Sequence, residues 1–161
     1  MQKGTDAIDV PPYRDPMSSS IKTADGIVAL FNASDDTVDM VQSLLTASGT
    51  AQTLISCHFA DLKKGIVDFD KYIAKHNPEV AIFDLSPPYD ENWHFFKIMR
   101  DAPIMEGRGI VLTTTNKDRL DEVLGEDSRA LEVVGRVKDL QLIGNAIQTE
   151  TMRARSLRAA V

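Results

Sequence analysis

The stretch Pro78–Asn92, PEVAIFDLSPPYDEN, constrains this chain more than any other. Val80, Ala81, Ile82 and Phe83 form a continuous apolar run, as a strand covered on both faces requires. Asp84 closes that run, and Pro87 and Pro88 then forbid its continuation, because proline lacks a backbone donor. A carboxylate at the carboxyl end of a central strand in an open α/β sheet points into the crevice where such folds bind ligands. If the flanking sequence alternates strand and helix, Asp84 is the first candidate for chemistry.

The flanking sequence does alternate. Gly26–Phe31 (GIVALF) reads as a buried strand, and Asp35–Ala47 as a helix with Val38, Val41, Leu44 and Leu45 on one face. Ser34 suits its N-cap, Asp35 and Asp36 suit the positive end of its dipole, and Gly49 ends it. Thr53–Phe59 is the second predicted strand. A helix over 61–76 follows, with Leu62, Ile66, Phe69 and Ile73 at helical steps. Strand three is Val80–Asp84, and a helix over Asn92–Asp101 buries Trp93, Phe96 and Met99. Gly109–Thr113 and Ala130–Val134 are strands four and five. Between them Lys117–Leu124 is a short helix with Leu120, Val123 and Leu124 inward. A last helix starts at Val137 or Lys138, turns Leu140, Ile143 and Ile147 inward, and can extend through the basic tail. Five strands alternating with five helices imply a parallel sheet with right-handed crossovers.

Three regions follow: a leader over 1–25, a globular domain over 26–150 and a basic helix end or tail over 151–161. The leader holds Pro11, Pro12, Pro16 and Ser18–Ser20 with few large apolar residues, a composition that buries little surface. Its Pro11–Tyr13 suits a proline-recognition domain less well than a plain tail, and Met17 is a second candidate start. The net charge of −6 argues against nucleic acid as the main partner. All 24 acids precede Thr151, whereas Arg153, Arg155 and Arg158 follow it. That tail suits the negative pole of its helix, with docking on a second copy of the chain as the other option. No apolar run reaches the length of a membrane span, and no apolar signal core opens the chain. The single cysteine, Cys57, excludes an internal disulfide and fits a reducing compartment, so a cytoplasmic location is expected.

Residues 26–150 resemble a response-regulator receiver domain, the phosphoacceptor module of two-component signalling. PEVAIFDLSPP is similar to the family's third strand and loop, with Asp84 at the phosphoacceptor position and Pro88 at the loop proline four residues on. IVLTT at 110–114 matches the fourth strand, so Thr113 falls at the switch position and Thr114 beside it. VVGRVKDLQLIGNAI at 133–147 matches the fifth strand and last helix. The resemblance implies a doubly wound, flavodoxin-like fold of strand order 2-1-3-4-5.

Two departures from the family matter. Its first strand normally ends in two adjacent acids that hold Mg²⁺, and an ungapped alignment puts Asn32 and Ala33 there. Asp35 and Asp36 come three residues later, where helix-cap duty outweighs metal binding. Arg136 stands in place of the family's lysine, with Val137 after it. Its planar fork does not reproduce an ammonium point charge, and pairing with Asp84 is one consequence to expect. Mg²⁺ prefers carboxylate oxygens in tight octahedral geometry, so Asp84, Asp35 and Asp36 make a weak set and weak binding is expected. Tyr89–Trp93 (YDENW) is bulky where receivers carry a Gly-bearing loop. Tyr89 and Trp93 read either as a lid or partner surface over Asp84 or, for Trp93, as core. His58, His76 and His94 share no metal-ligand spacing.

The resemblance implies an atypical single-domain response regulator that is not an enzyme. It would accept a phosphoryl group on Asp84 from a histidine kinase or phosphotransfer protein. It would then signal to a downstream protein through the face of the 117–124 helix, fifth strand and last helix. The alternative is a pseudo-receiver that keeps the fold as an interaction module without phosphate chemistry. A small aspartate phosphatase ranks third, because such enzymes carry a second acid two residues after the nucleophile, where this chain has Ser86.

Overall fold

Five parallel strands form one sheet: β1 Ile27–Phe31, β2 Thr53–Cys57, β3 Val80–Leu85, β4 Gly109–Thr114 and β5 Leu131–Glu132. Their order is β2-β1-β3-β4-β5, the doubly wound order expected. The structure is a computed structural model and describes residues 26–49 and 52–160. The leader over 1–25 therefore lies outside the described residues.

Strand alternation sends side chains to two cores. Phe31, Phe83, Leu85 and Leu112 pack on one face with Phe59, Phe96 and Leu120 from the helices. Val28, Leu30, Ile82 and Val111 pack on the other with Val41, Leu45, Ile143 and Ile147. The second face is covered by α1 Asp35–Ala47 and α6 Val137–Ala159. The first is covered by α2 Phe59–Lys63, α3 Phe69–His76, α4 Tyr89–Arg100 and α5 Lys117–Leu124. Phe31 and Phe83 stack at 5.0 Å beneath the site-bearing ends of β1 and β3. All six β3 residues are buried, as a central parallel strand demands.

Several boundaries differ from expectation. The helix expected over 61–76 is two helices, α2 and α3. Gly65 adopts φ +75° and breaks the first, and the Asp68 carboxylate caps the second by accepting from Lys71 N. Ile66 falls in the break and is 70% exposed, so its helical spacing was coincidental. The second strand stops at Cys57, and Phe59 is buried from the first turn of α2. β5 spans two residues rather than five, although Val133 N still donates to Thr114 O. α4 begins at Tyr89, directly after a cis Pro87–Pro88 bond, rather than at Asn92. Val123 is exposed at 39% instead of facing inward. The last helix does run on through the basic tail, to Ala159.

Candidate functional site

Asp84 and Thr113 are register partners on β3 and β4. The Asp84 side chain reaches the crevice at the carboxyl end of the sheet yet is only 8% exposed. Thr113 Oγ1 donates a 2.6 Å hydrogen bond to Asp84 Oδ1. Burial disfavours the ionised carboxylate and pushes its pKa up to about 6, and the Thr113 hydroxyl offsets only part of this.

The backbone below Asp84 is tied from three sides. Asn32 follows β1 with φ +67°, a left-handed conformation that asparagine tolerates. Its Nδ2 donates to Asp84 O at 3.0 Å and Ser86 Oγ at 3.1 Å. Thr114 Oγ1 donates to Leu85 O at 2.8 Å, and Asn92 Nδ2 to Ser86 O at 2.7 Å. Each carbonyl from Asp84 to Ser86 thus meets a side-chain donor. Lys63 Nζ reaches Asn92 Oδ1 at 2.8 Å and Glu91 Oε1 at 3.0 Å. Asn92 and Lys63 escaped sequence reasoning as site residues, and Ser86 entered it only as the place of a missing acid. A polar residue on the inner face of α4 was the only available signal, and it shows only once the helix start is known.

The other candidates are placed as follows. Ala33 is buried in the second core and supplies no ligand. Asp35 and Asp36 are exposed in the first turn of α1, which Ser34 caps by accepting from Thr37 N. Pro88 stands at the N-cap of α4. Arg136 does not pair with Asp84. Its Nη2 lies 3.6 Å from Asp139 Oδ1, and Asp139 Oδ2 accepts from Val134 N and Arg136 N at the start of α6. The Asp139 carboxylate, three residues on, outcompetes Asp84 because it already closes that helix end. Tyr89 is buried in the first core, and Trp93 packs 5.4 Å from Phe96. Tyr89 thus lies on the inner face of α4, and the half-buried Trp93 packs there as the core alternative has it. His76 packs on Tyr72 at 4.6 Å, and among the described residues no group of three metal-capable side chains exists.

These donors do not fit Mg²⁺. A hard cation seeks several oxygen ligands. Here Asn32 turns its NH₂, a donor, toward the Asp84 and Ser86 oxygens that a cation would otherwise need. Asp84 is left as a lone carboxylate.

No protein-family model matches the sequence, and no curated protein sequence matches it. Solved structures do match. One, described as a transiently phosphorylated "switch" in bacterial signal transduction, superimposes with TM-score 0.52 and 14% identity, covering 81% of this chain and 97% of its own. Another, an NMR structure of the pseudo-receiver domain of the CikA protein, gives TM-score 0.45 and 17% identity, covering 77% and 95%. The first likeness shows that the fold is receiver-like. The second is too distant to add to it.

Proposed function

We propose that the chain is a receiver-like signalling module that acts by protein contact and does not catalyse its own phosphorylation. The observation that carries this reading is the Asn32 amide, seated where an acid–metal pair would have to work. Phosphoryl transfer to a carboxylate gathers negative charge that must be neutralised. Among the described residues no cation pairs with Asp84, while Lys63 is engaged with Glu91 and Asn92, and Arg136 with Asp139. Asp84 then serves as a buried polar contact joining β3 to β4.

Contact through the face of α5, β5 and α6 agrees with its apolar exposure. Val123, Val134 and Val137 are 39%, 52% and 73% exposed there. A downstream protein target would cover them, and an upstream kinase or phosphotransfer protein could use the same module without transferring phosphate.

The second reading is an atypical response regulator phosphorylated on Asp84. It is favoured by the 2.6 Å Thr113–Asp84 bond, which couples a switch-position hydroxyl to the acceptor carboxylate. An amide NMR titration with Mg²⁺ and then beryllofluoride, a phosphoryl mimic, separates the two. An unresponsive pocket in the intact fold is expected. Shifts at Asp84, Thr113 and Arg136 that spread into α6 would establish the phosphate switch instead.

A further inference from the structure

Of the 161 residues 18 are basic and 24 acidic, yet two long stretches carry no charged side chain. Residues 40–57 begin in α1 and end in β2, and residues 140–149 make about three turns of α6. The fold brings the two stretches together. α1 and α6 both pack on the second core and approach closely at Gly144, where a Cβ would come 3.4 Å from Leu44 Cδ1. A groove of about 780 Å³ runs between them, lined in part by Leu44, Leu45 and Ser48 of α1 and by Gln141, Asn145 and Gln148 of α6.

The three amides of the α6 wall follow one another at helical steps of four and three. All three residues are exposed, and their side chains form no hydrogen bond among the described residues. Met152 continues the stripe and is 64% exposed. Of the residues lining the groove Arg155 alone is charged. It donates to both oxygens of the buried Glu79 carboxylate, at 2.7 and 2.8 Å, and Arg158 donates to Glu79 as well. A helix face turned to water is ordinarily charged. The exposed positions of α4 hold Asp90, Glu91 and Arg100, and those of α5 hold Asp118, Arg119 and Glu122. The α1–α6 flank has no such dressing. Loss of charge together with an exposed methionine is the composition of the centre of a protein–protein contact.

We infer that this uncharged flank is the surface on which two copies of the chain meet about a twofold axis. A net charge of −6 makes any two copies repel, so they approach most easily where neither presents charge. A twofold contact also sets a patch against itself, which favours groups that complement their own kind. Amides do so, because each carries a donor and an acceptor, whereas two carboxylates or two ammonium groups repel. The leucines and Met152 of one copy give the other apolar surface to cover. Val123, Val134 and Val137 line no part of the groove, so this contact stands or falls apart from the signalling face proposed above.

Sedimentation equilibrium of the full chain tests the inference. A monomer–dimer equilibrium with Kd below about 0.1 mM is expected. Gln148→Glu should weaken dimerisation about tenfold or more, since it sets like charges against each other across the axis. Gln148→Lys should do the same alone, and an equimolar mixture of the two variants should recover the dimer. Position 148 is exposed on its helix, and circular dichroism checks that both variants fold. Val134→Glu, on the signalling face, should leave the dimer intact. A monomer at about 0.1 mM would overturn the inference, and so would a dimer indifferent to a folded Gln148→Glu variant. A dimer lost in Val134→Glu but kept in Gln148→Glu would place the contact on the signalling face and overturn it likewise.

Discussion

Thr113 offers its hydroxyl to Asp84 from the adjacent strand, 2.6 Å away and in the same register, and no cation shares the carboxylate among the described residues. The bond favours the ionised form, while burial opposes it more strongly. The balance between the two has measurable consequences for stability.

Asp84→Asn should stabilise the protein at pH 8. The unfolded carboxyl titrates near 3.8 and the folded one near 6, so its contribution is fully present below 3.8 and is lost as pH rises through 6. A shift of that size corresponds to about 3 kcal/mol, at an order of magnitude. The neutral amide avoids the penalty and can still accept from Thr113. Urea unfolding at pH 8 should show the variant ahead by about 1–3 kcal/mol. Near pH 4 the advantage should vanish, and an equal gap at both pH values would refute the burial account.

Asn32→Asp should do the opposite. It sets a carboxylate against the Asp84 carbonyl, which now receives a hydrogen bond, and leaves only the Ser86 hydroxyl able to turn and donate to it. The expected loss is about 1–3 kcal/mol. Millimolar Mg²⁺ should recover part of that loss in the variant and leave the melting temperature of the unaltered protein in place. A Mg²⁺ response in the unaltered protein would count against the reading of Asn32 as the substitute for a metal.

Arg155→Ala should cost about 3 kcal/mol, because it strips a two-point contact from a buried carboxylate. Glu79 is held below its ordinary value, so this loss is expected above pH 4.5 and should shrink as pH falls. A thermal shift no larger than for an exposed helix-end arginine would show that α6 is not clasped there.

Gly109→Ala should cost about 1–3 kcal/mol through overpacking. The added Cβ would lie 2.6 Å from Glu150 Cβ and 2.9 Å from Glu150 O, so α6 would have to lift from β4. The urea midpoint measures this directly. A neutral result would mean that the helix has room to move away from the sheet.

Much of the fold was legible because buried parallel strands write themselves as apolar runs. GIVALF, VAIFD and GIVLT are such runs, and they also placed Asp84 and Thr113 at strand ends. The broken second helix was not legible, because Leu62, Phe69 and Ile73 keep helical spacing across a break at Gly65. Arg136 was misdirected because its partner Asp139 is a local cap, and only the built helix end shows that competition. The Glu79 clasp joins residues 76 and 79 positions apart, beyond any local pattern. Within the basic helix end, Arg155 and Arg158 pair with Glu79, just before β3. The role of Asn32 depends on which way its amide points, and residue identity alone does not encode that.

α6 spans 23 residues, a rod about 34 Å long. It is gripped at its start by the Asp139 cap, along its length by Gly109 against Glu150, and at its end by Glu79. A rod held at three stations cannot roll about its own axis without releasing at least one of them. A tilt of this helix over the Gly109 contact would swing its two ends in opposite directions, and the Glu79 clasp would resist it at the far end.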